Sequence, residues 1–131
     1  MCIRDRSSSE WRSSQSERPN SLPLFERARI EIYLPDLPKA AYQDLLEAFD
    51  REFTYTFGGC TILRGLEGSY LSKLGIHTRD RINLIFTDVA VAFDEYPQRI
   101  SRYTDRLREA ALEALEEEAI LVAVLKVYHS G

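Results

Sequence analysis

Residues Ile100 to Tyr128 read ISRYTDRLREAALEALEEEAILVAVLKVY, a helical pattern that runs directly into a strand pattern. In the first half, Ile100, Tyr103, Leu107, Ala110, Ala111, Ala114 and Leu115 recur every three or four residues through an otherwise charged run, the mark of an amphipathic helix with one face on a core. Its charges run against the helix dipole. Arg99, Arg102, Arg106 and Arg108 fill the first half, and Glu109, Glu113, Glu116, Glu117 and Glu118 the second. Burial of the apolar stripe outweighs such exposed charges, and an antiparallel neighbour would complement them. From Ala119 to Tyr128 the chain is nearly continuous in apolar, β-prone residues, which predicts a strand buried on both faces. The rest of the chain has to supply the sheet that this strand joins.

Upstream, Asp88 to Pro97 is a connection with an apolar middle, Val89 to Phe93, and Asp94 stands where a helix cap is expected. Before it, Arg81 to Thr87 alternates, with Ile82, Leu84 and Phe86 on one side. Lys73-Leu74-Gly75 reads as a hairpin tip. The strand leading into it opens after Gly58-Gly59, and Gly65 and Gly68 within it predict a bulge or bend. Ala41, Tyr42, Leu45, Leu46, Phe49 and Phe53 have helical spacing and predict a helix of about four turns, with Asp36 between Pro35 and Pro38 as its N-cap. Ile30, Ile32 and Leu34 alternate with Arg29, Glu31 and Tyr33 in a first strand.

The resulting order is βαββαβ. With right-handed crossovers it predicts an α+β protein of the ferredoxin-like α/β plait type: a four-stranded antiparallel sheet in spatial order 4-1-3-2, with two helices on one face. The residues expected under the helices are Ile30, Ile32 and Leu34, then Ile82, Leu84 and Phe86, then Leu121, Ala123, Leu125 and Val127. The opposite, open face would carry Arg29, Glu31 and Tyr33, then Asn83, Ile85 and Thr87, then Ile120, Val122, Val124, Lys126 and Tyr128.

A length of 131 residues suits one domain, and 44% hydrophobic with 29% charged residues is an ordinary globular composition. The first 23 residues are crowded with Ser and charge and lack apolar periodicity, so residues 1–23 are expected to be a disordered tail and 24–131 the domain. The opening Met1-Cys2-Ile3-Arg4-Asp5-Arg6 resembles a hexapeptide that recurs at the start of proteins predicted from metagenomic assemblies, where sequencing adapter is translated with the gene. No run approaches the roughly 18 apolar residues of a membrane helix, and no apolar leader is present, so a cytoplasmic location without membrane contact is expected. Cys2 and Cys60 lie far apart, one of them in the expected tail, and do not predict a disulfide. Seventeen Lys plus Arg against 21 Asp plus Glu, a net charge of −4, disfavours a polyanionic partner.

The stretch Gly59 to Tyr70, GCTILRGLEGSY, with Gly75 and Asp80 to Phe86, resembles small uncharacterised bacterial proteins that share a helix, a Gly-punctuated hairpin, a second helix and a last strand. The resemblance covers about half the chain. It implies a plait-like fold and bacterial origin, and brings no activity with it.

Motifs for chemistry are sparse. Cys60 with His129 or His77 would make a thiolate and base only if the fold brought them within hydrogen-bond reach, and a lone Cys in a β-run is more often a small buried hydrophobe. Asp88, Asp94 and Glu95 share a connection but not the spacing of a calcium loop, so no metal is expected. The glycine pairs precede strand rather than helix and match no phosphate loop or dinucleotide fingerprint, and no cofactor is expected. Nucleic-acid binding is disfavoured because the central strands would offer only Tyr33 as an aromatic platform on the open face, and the net charge is acidic.

The open-face set Arg29, Glu31, Tyr33, Asn83, Thr87 and Tyr128 mixes polar groups with apolar ones, as a ligand pocket does, and equally as an interface whose polar groups pair with one another. An apolar face left bare by the helices should be covered, most simply by a second copy. The expectation is a homo-oligomeric plait, a dimer at its simplest, acting by assembly or small-ligand binding. The rival is a small cofactor-free enzyme with its site on the same face.

Overall fold

The computed structural model describes residues 24–117 and 119–130; the predicted tail, residues 1–23, and Glu118 lie outside the described residues. The elements are β1 (Leu24–Pro35), α1 (Ala40–Phe57), β2 (Thr61–Leu71), β3 (His77–Val89), a short 3-10 turn (Phe93–Glu95), α2 (Pro97–Leu115) and β4 (Leu121–Ser130). The four strands form one antiparallel sheet in the order β2-β3-β1-β4, which is the predicted order read from the other edge.

Each element follows from local chemistry. In β1, Ala28, Ile30, Ile32 and Leu34 are buried while the residues between them are half-exposed, so the strict alternation puts one face on the core. Helix α1 buries Tyr42, Leu45, Leu46, Phe49 and Phe53, and ends at Gly58, whose φ of 95° lets its N–H close the last turn onto the Thr54 carbonyl. The helix therefore has 18 residues and takes up Thr54 to Phe57, longer than its spacing predicted. Phe57 reaches across to α2, meeting Tyr103 edge-on at 5.4 Å between ring centroids.

The two predicted caps do not form. Lys39 occupies the N-cap of α1, and Asp36 is drawn instead to β3: its N–H donates to the Arg81 carbonyl, and its carboxylate accepts from Asn83 Nδ2 at 3.3 Å and lies 3.6 Å from Arg81 Nε. Tyr96 is the N-cap of α2, with Pro97 starting the helix, and Asp94 pairs with Lys126 of β4 at 2.6 Å.

The faces of β3 and β4 are the reverse of those predicted. Directly opposed residues share a face, and Ile32 stands opposite Ile85 and Val122, Ile30 opposite Thr87 and Val124. Thus Ile85, Val89, Ile120, Val122 and Val124 belong to the core under the helices. Ile82, Leu84, Phe86, Leu121, Ala123, Leu125 and Val127 share the open face with Arg29, Glu31 and Tyr33. A slip of one residue exchanges the faces of a strand, and both of these strands are apolar on both sides, so their alternation alone does not choose.

Two polar residues of β3 are tolerated under the helices because each has a local partner. Asn83 Oδ1 accepts from the Gly65 N–H at 2.9 Å, and Thr87 Oγ1 donates to the Gly59 carbonyl at 2.7 Å. The Asn83 bond holds the predicted bulge: Leu63 opposes Leu84 and Leu66 opposes Ile82, so two residues of β2 face one of β3, and Gly65 has φ 65°. Beyond that point β1 has ended at Pro35 opposite Ile82, and among the described residues, 67–71 and 77–80 are laddered only within this hairpin, an arm that projects past the sheet.

Candidate functional site on the open sheet face

One end of the open face is polar and the other apolar. At the polar end three strands converge on Asp88 of β3. Arg29 of β1 donates to it through Nε and Nη2, at 2.7 and 3.0 Å, and His129 Nε2 of β4 lies 2.7 Å from the same carboxylate. The Arg29 guanidinium also lies 4.3 Å over the Phe86 ring. Burial pushes the Asp88 carboxyl up, but hydrogen bonds and charge from Arg29, with His129 beside it, outweigh that and hold it below the usual carboxylate value. The same bond raises the Arg29 pKa. In the middle of the face, Tyr33 donates from its hydroxyl to Glu31 Oε1 at 2.7 Å, and that bond to a carboxylate, with burial, raises the tyrosine's pKa.

Of the six residues expected to line a pocket there, the fold brings three onto the face: Arg29, Glu31 and Tyr33. Asn83 and Thr87 are buried on the helix side, occupied with Gly65 and Gly59 as described. Tyr128 also shares the helix-side face of β4, where it is exposed and donates to Glu26 Oε1 at 3.4 Å. In their place stand Asp88, His129 and Phe86. The signal for them was the alternation itself: once Phe86 is put outward, Asp88 two residues on is outward too, and His129 follows Val127 in the same way.

A cleft of about 290 Å³ opens beside Asp88, between the end of α1 and the start of β2, lined by Phe57, Gly58, Gly59, Cys60, Thr61, Phe86 and Thr87. Cys60 in its wall does not have the environment of a nucleophile. Burial first, and its bond to Asp50 Oδ1 at 3.1 Å, push the thiol up to about 11, so at neutral pH it stays protonated. Its partners are Asp50 and Thr54, while His129 is engaged with Asp88 and His77 sits at the start of β3, in the arm. The acids of the connection are dispersed, Asp88 to Arg29 and Asp94 to Lys126, and among the described residues no group of three His, Cys, Asp or Glu has the geometry to hold a metal.

The other end of the face is apolar. Leu84 is buried between its neighbours, but Leu63 and Leu66 beside it are exposed, as is Leu121 across Tyr33, whereas the exposed Leu125 stands opposite Arg29 at the polar end.

CutA1 from Oryza sativa superposes on this chain with a TM-score of 0.52 at 16% identity, over 83% of this chain and 86% of that one. The fold is the ferredoxin-like α/β plait. Other solved structures match too, among them two with lower scores. The divalent cation tolerance protein (Cut A1) from Thermus thermophilus gives a TM-score of 0.49 at 16% identity over 82% and 88% of the two chains. CPII from Thiomonas intermedia K12, bound to ADP and bicarbonate, gives 0.38 at 20% identity over 82% and 92%. At these identities the likeness is one of fold. No protein-family model matches the sequence, and no curated protein does.

Proposed function

We propose that this plait works as a homo-oligomer whose open sheet face is covered by further copies, with the Arg29–Asp88–His129 end of that face available to a small ligand once it is enclosed. The observation that carries the reading is the apolar end of the face, where Leu63 and Leu66 of β2 stand exposed beside Leu84 and Ile82, and Leu121 of β4 is exposed on the far side of Tyr33; exposed apolar side chains gathered on one face mark an interaction surface. A pair of copies with opposed faces is the smallest assembly that covers it. The ligand reading rests on the polar end, where an aromatic ring and a guanidinium stand beside a cleft. A cytoplasmic home belongs to the same reading, since Cys60 is a free thiol and no described helix is long and apolar enough to cross a membrane. The rival, a cofactor-free enzyme, gains nothing from Cys60, the one strongly shifted group in the cleft, because its shift is away from reactivity.

The test is sedimentation of the wild type and of Leu63→Lys at micromolar concentration. Leu63 is 42% exposed, so the Lys folds without distortion. The expected result is an assembled wild type and a variant whose association is weaker by about tenfold or more. A wild type that sediments as a monomer removes the reading.

A further inference from the structure

Helix α2 carries a charged stripe that its own packing does not explain. Arg99, Arg102, Arg106, Glu109, Glu113 and Glu116 follow one another at alternating spacings of three and four residues, on the side of the helix away from the buried Ile100, Leu107 and Ala111. All but Arg99 are exposed. Arg99 lies over the Tyr96 ring and Arg106 over that of Tyr103, but among the described residues no carboxylate pairs with Arg102 or Arg106, and no cation with Glu109 or Glu113. Within one chain the stripe is a cost. Arg102 with Arg106, and Glu109 with Glu113, are like charges one turn apart, and Arg99 in the first turn and Glu113 in the last oppose the helix dipole.

Against an antiparallel copy of itself the same stripe is complementary. Two antiparallel helices related by a two-fold axis bring two residues level when the axis falls midway between them in the sequence. Three pairings of the stripe, Arg106 with Glu109, Arg102 with Glu113 and Arg99 with Glu116, share one midpoint, between Leu107 and Arg108. A single axis there sets every arginine of one copy level with a glutamate of the other. Ala110, exposed beside the stripe, leaves room for the stem of the partner's Arg106.

We infer that two copies of this chain pack through α2, antiparallel about an axis at Leu107 and Arg108, in an isologous contact held by reciprocal Arg–Glu pairs. Helix α2 lies on the other side of the sheet from the open face, so this contact is separate from the one proposed there and does not rest on it. Exposed ion pairs are individually weak, so the contact is salt-sensitive and is read at high protein concentration.

Charge reversal in the full chain tests it. Arg102→Glu with Arg106→Glu makes the stripe acidic apart from Arg99, and Glu109→Lys with Glu113→Lys makes it basic apart from Glu116. Each reversal changes the net charge of −4 by two, giving −8 and 0, so net charge alone gives the two variants no attraction for each other. The reversals also follow the helix dipole, and circular dichroism checks that each chain folds. Sedimentation then compares low salt with about 1 M salt, where the screening length is about 3 Å. Wild type should associate about tenfold more strongly at low salt than at high, and each variant alone should lose that salt-sensitive step. An equal mixture of the two should regain it as a one-to-one complex, since every level again sets Arg or Lys against Glu. A wild type whose association does not depend on salt overturns the inference, as does either variant if it keeps the step alone. A mixture that fails to regain the step overturns it as well, and loss of the step by the arginine reversals only would assign the basic half to a different, anionic partner. Association that persists at 1 M salt belongs to the open face, and Leu63→Lys should weaken it without touching the salt-sensitive step, so either reading can fail while the other stands.

Discussion

Asp88 shows how a single residue's surroundings decide its part. Its side chain is only 16% exposed, and the carboxylate remains ionised there because Arg29 and His129 bind it. Its folded pKa lies below the ordinary value, so it contributes stability that is present above the unfolded pKa and is lost as pH falls through the folded one. Arg29→Met should lower stability at pH 7 by about 1.5–3 kcal/mol, the worth of hydrogen bonds to a charged group. The deficit should shrink toward strongly acid pH, as urea unfolding of both proteins across the acid range would show. An equal deficit at every pH would mean that Arg29 acts by packing on Phe86. Gly65 makes a second case. Its φ of 65° is unfavourable to any residue with a Cβ, and an added methyl would meet the Arg81 guanidinium at 2.8 Å, a mobile group that can move aside. Gly65→Ala should therefore cost about 1–2 kcal/mol, chiefly from the backbone. Gly68→Ala in the same strand, with open space and no such φ, should change stability by less than about 0.5 kcal/mol.

Among the elements, α2 has the strongest periodicity and the weakest end. Its stripe of Ile100, Tyr103, Leu107, Ala111 and Leu115 is buried as the spacing predicts, while Ala110 and Ala114 fall on the exposed side. The helix stops at Leu115, so Glu116 is its cap rather than part of its last turn, in a left-handed conformation with φ 55°. Glu117 lies past the end, accepting a hydrogen bond from the Tyr42 hydroxyl, so of the described acids predicted for the second half only Glu109 and Glu113 oppose the dipole from within the helix. Glu116→Gly should stabilise the fold by about 1 kcal/mol, since glycine adopts that conformation without the Cβ penalty. Thermal unfolding reads this directly, and a lower melting temperature would show that the Glu116 side chain is needed.

At the scale of the whole molecule, the described residues leave one sheet face without cover, and the sedimentation experiment asks whether other copies provide it. How the sheet came to present that face divides what was legible in the chain from what was not. Element order was legible because it is written in local chemistry: the stripe from Ile100 to Leu115, the alternation of Ile30, Ile32 and Leu34, the stop at Gly58, the turn at Gly75 and the bulge at Gly65 each depend on residues a few positions apart. Strand order followed from the handedness of the crossovers. The phase of β3 and β4 was not legible, because Ile82, Leu84 and Phe86 are as apolar as Ile85 and Val89, and β4 is apolar on both sides. That choice was made by long-range pairing. Asn83 and Thr87 find Gly65 and Gly59 only on the helix side, and Asp88 then faces outward beside Arg29 and His129, residues 59 and 41 positions away in the chain. The sequence by itself determined a plait with an open face of mixed character; which side chains meet on that face was decided by the tertiary structure, because a shift of one residue in register exchanges them all.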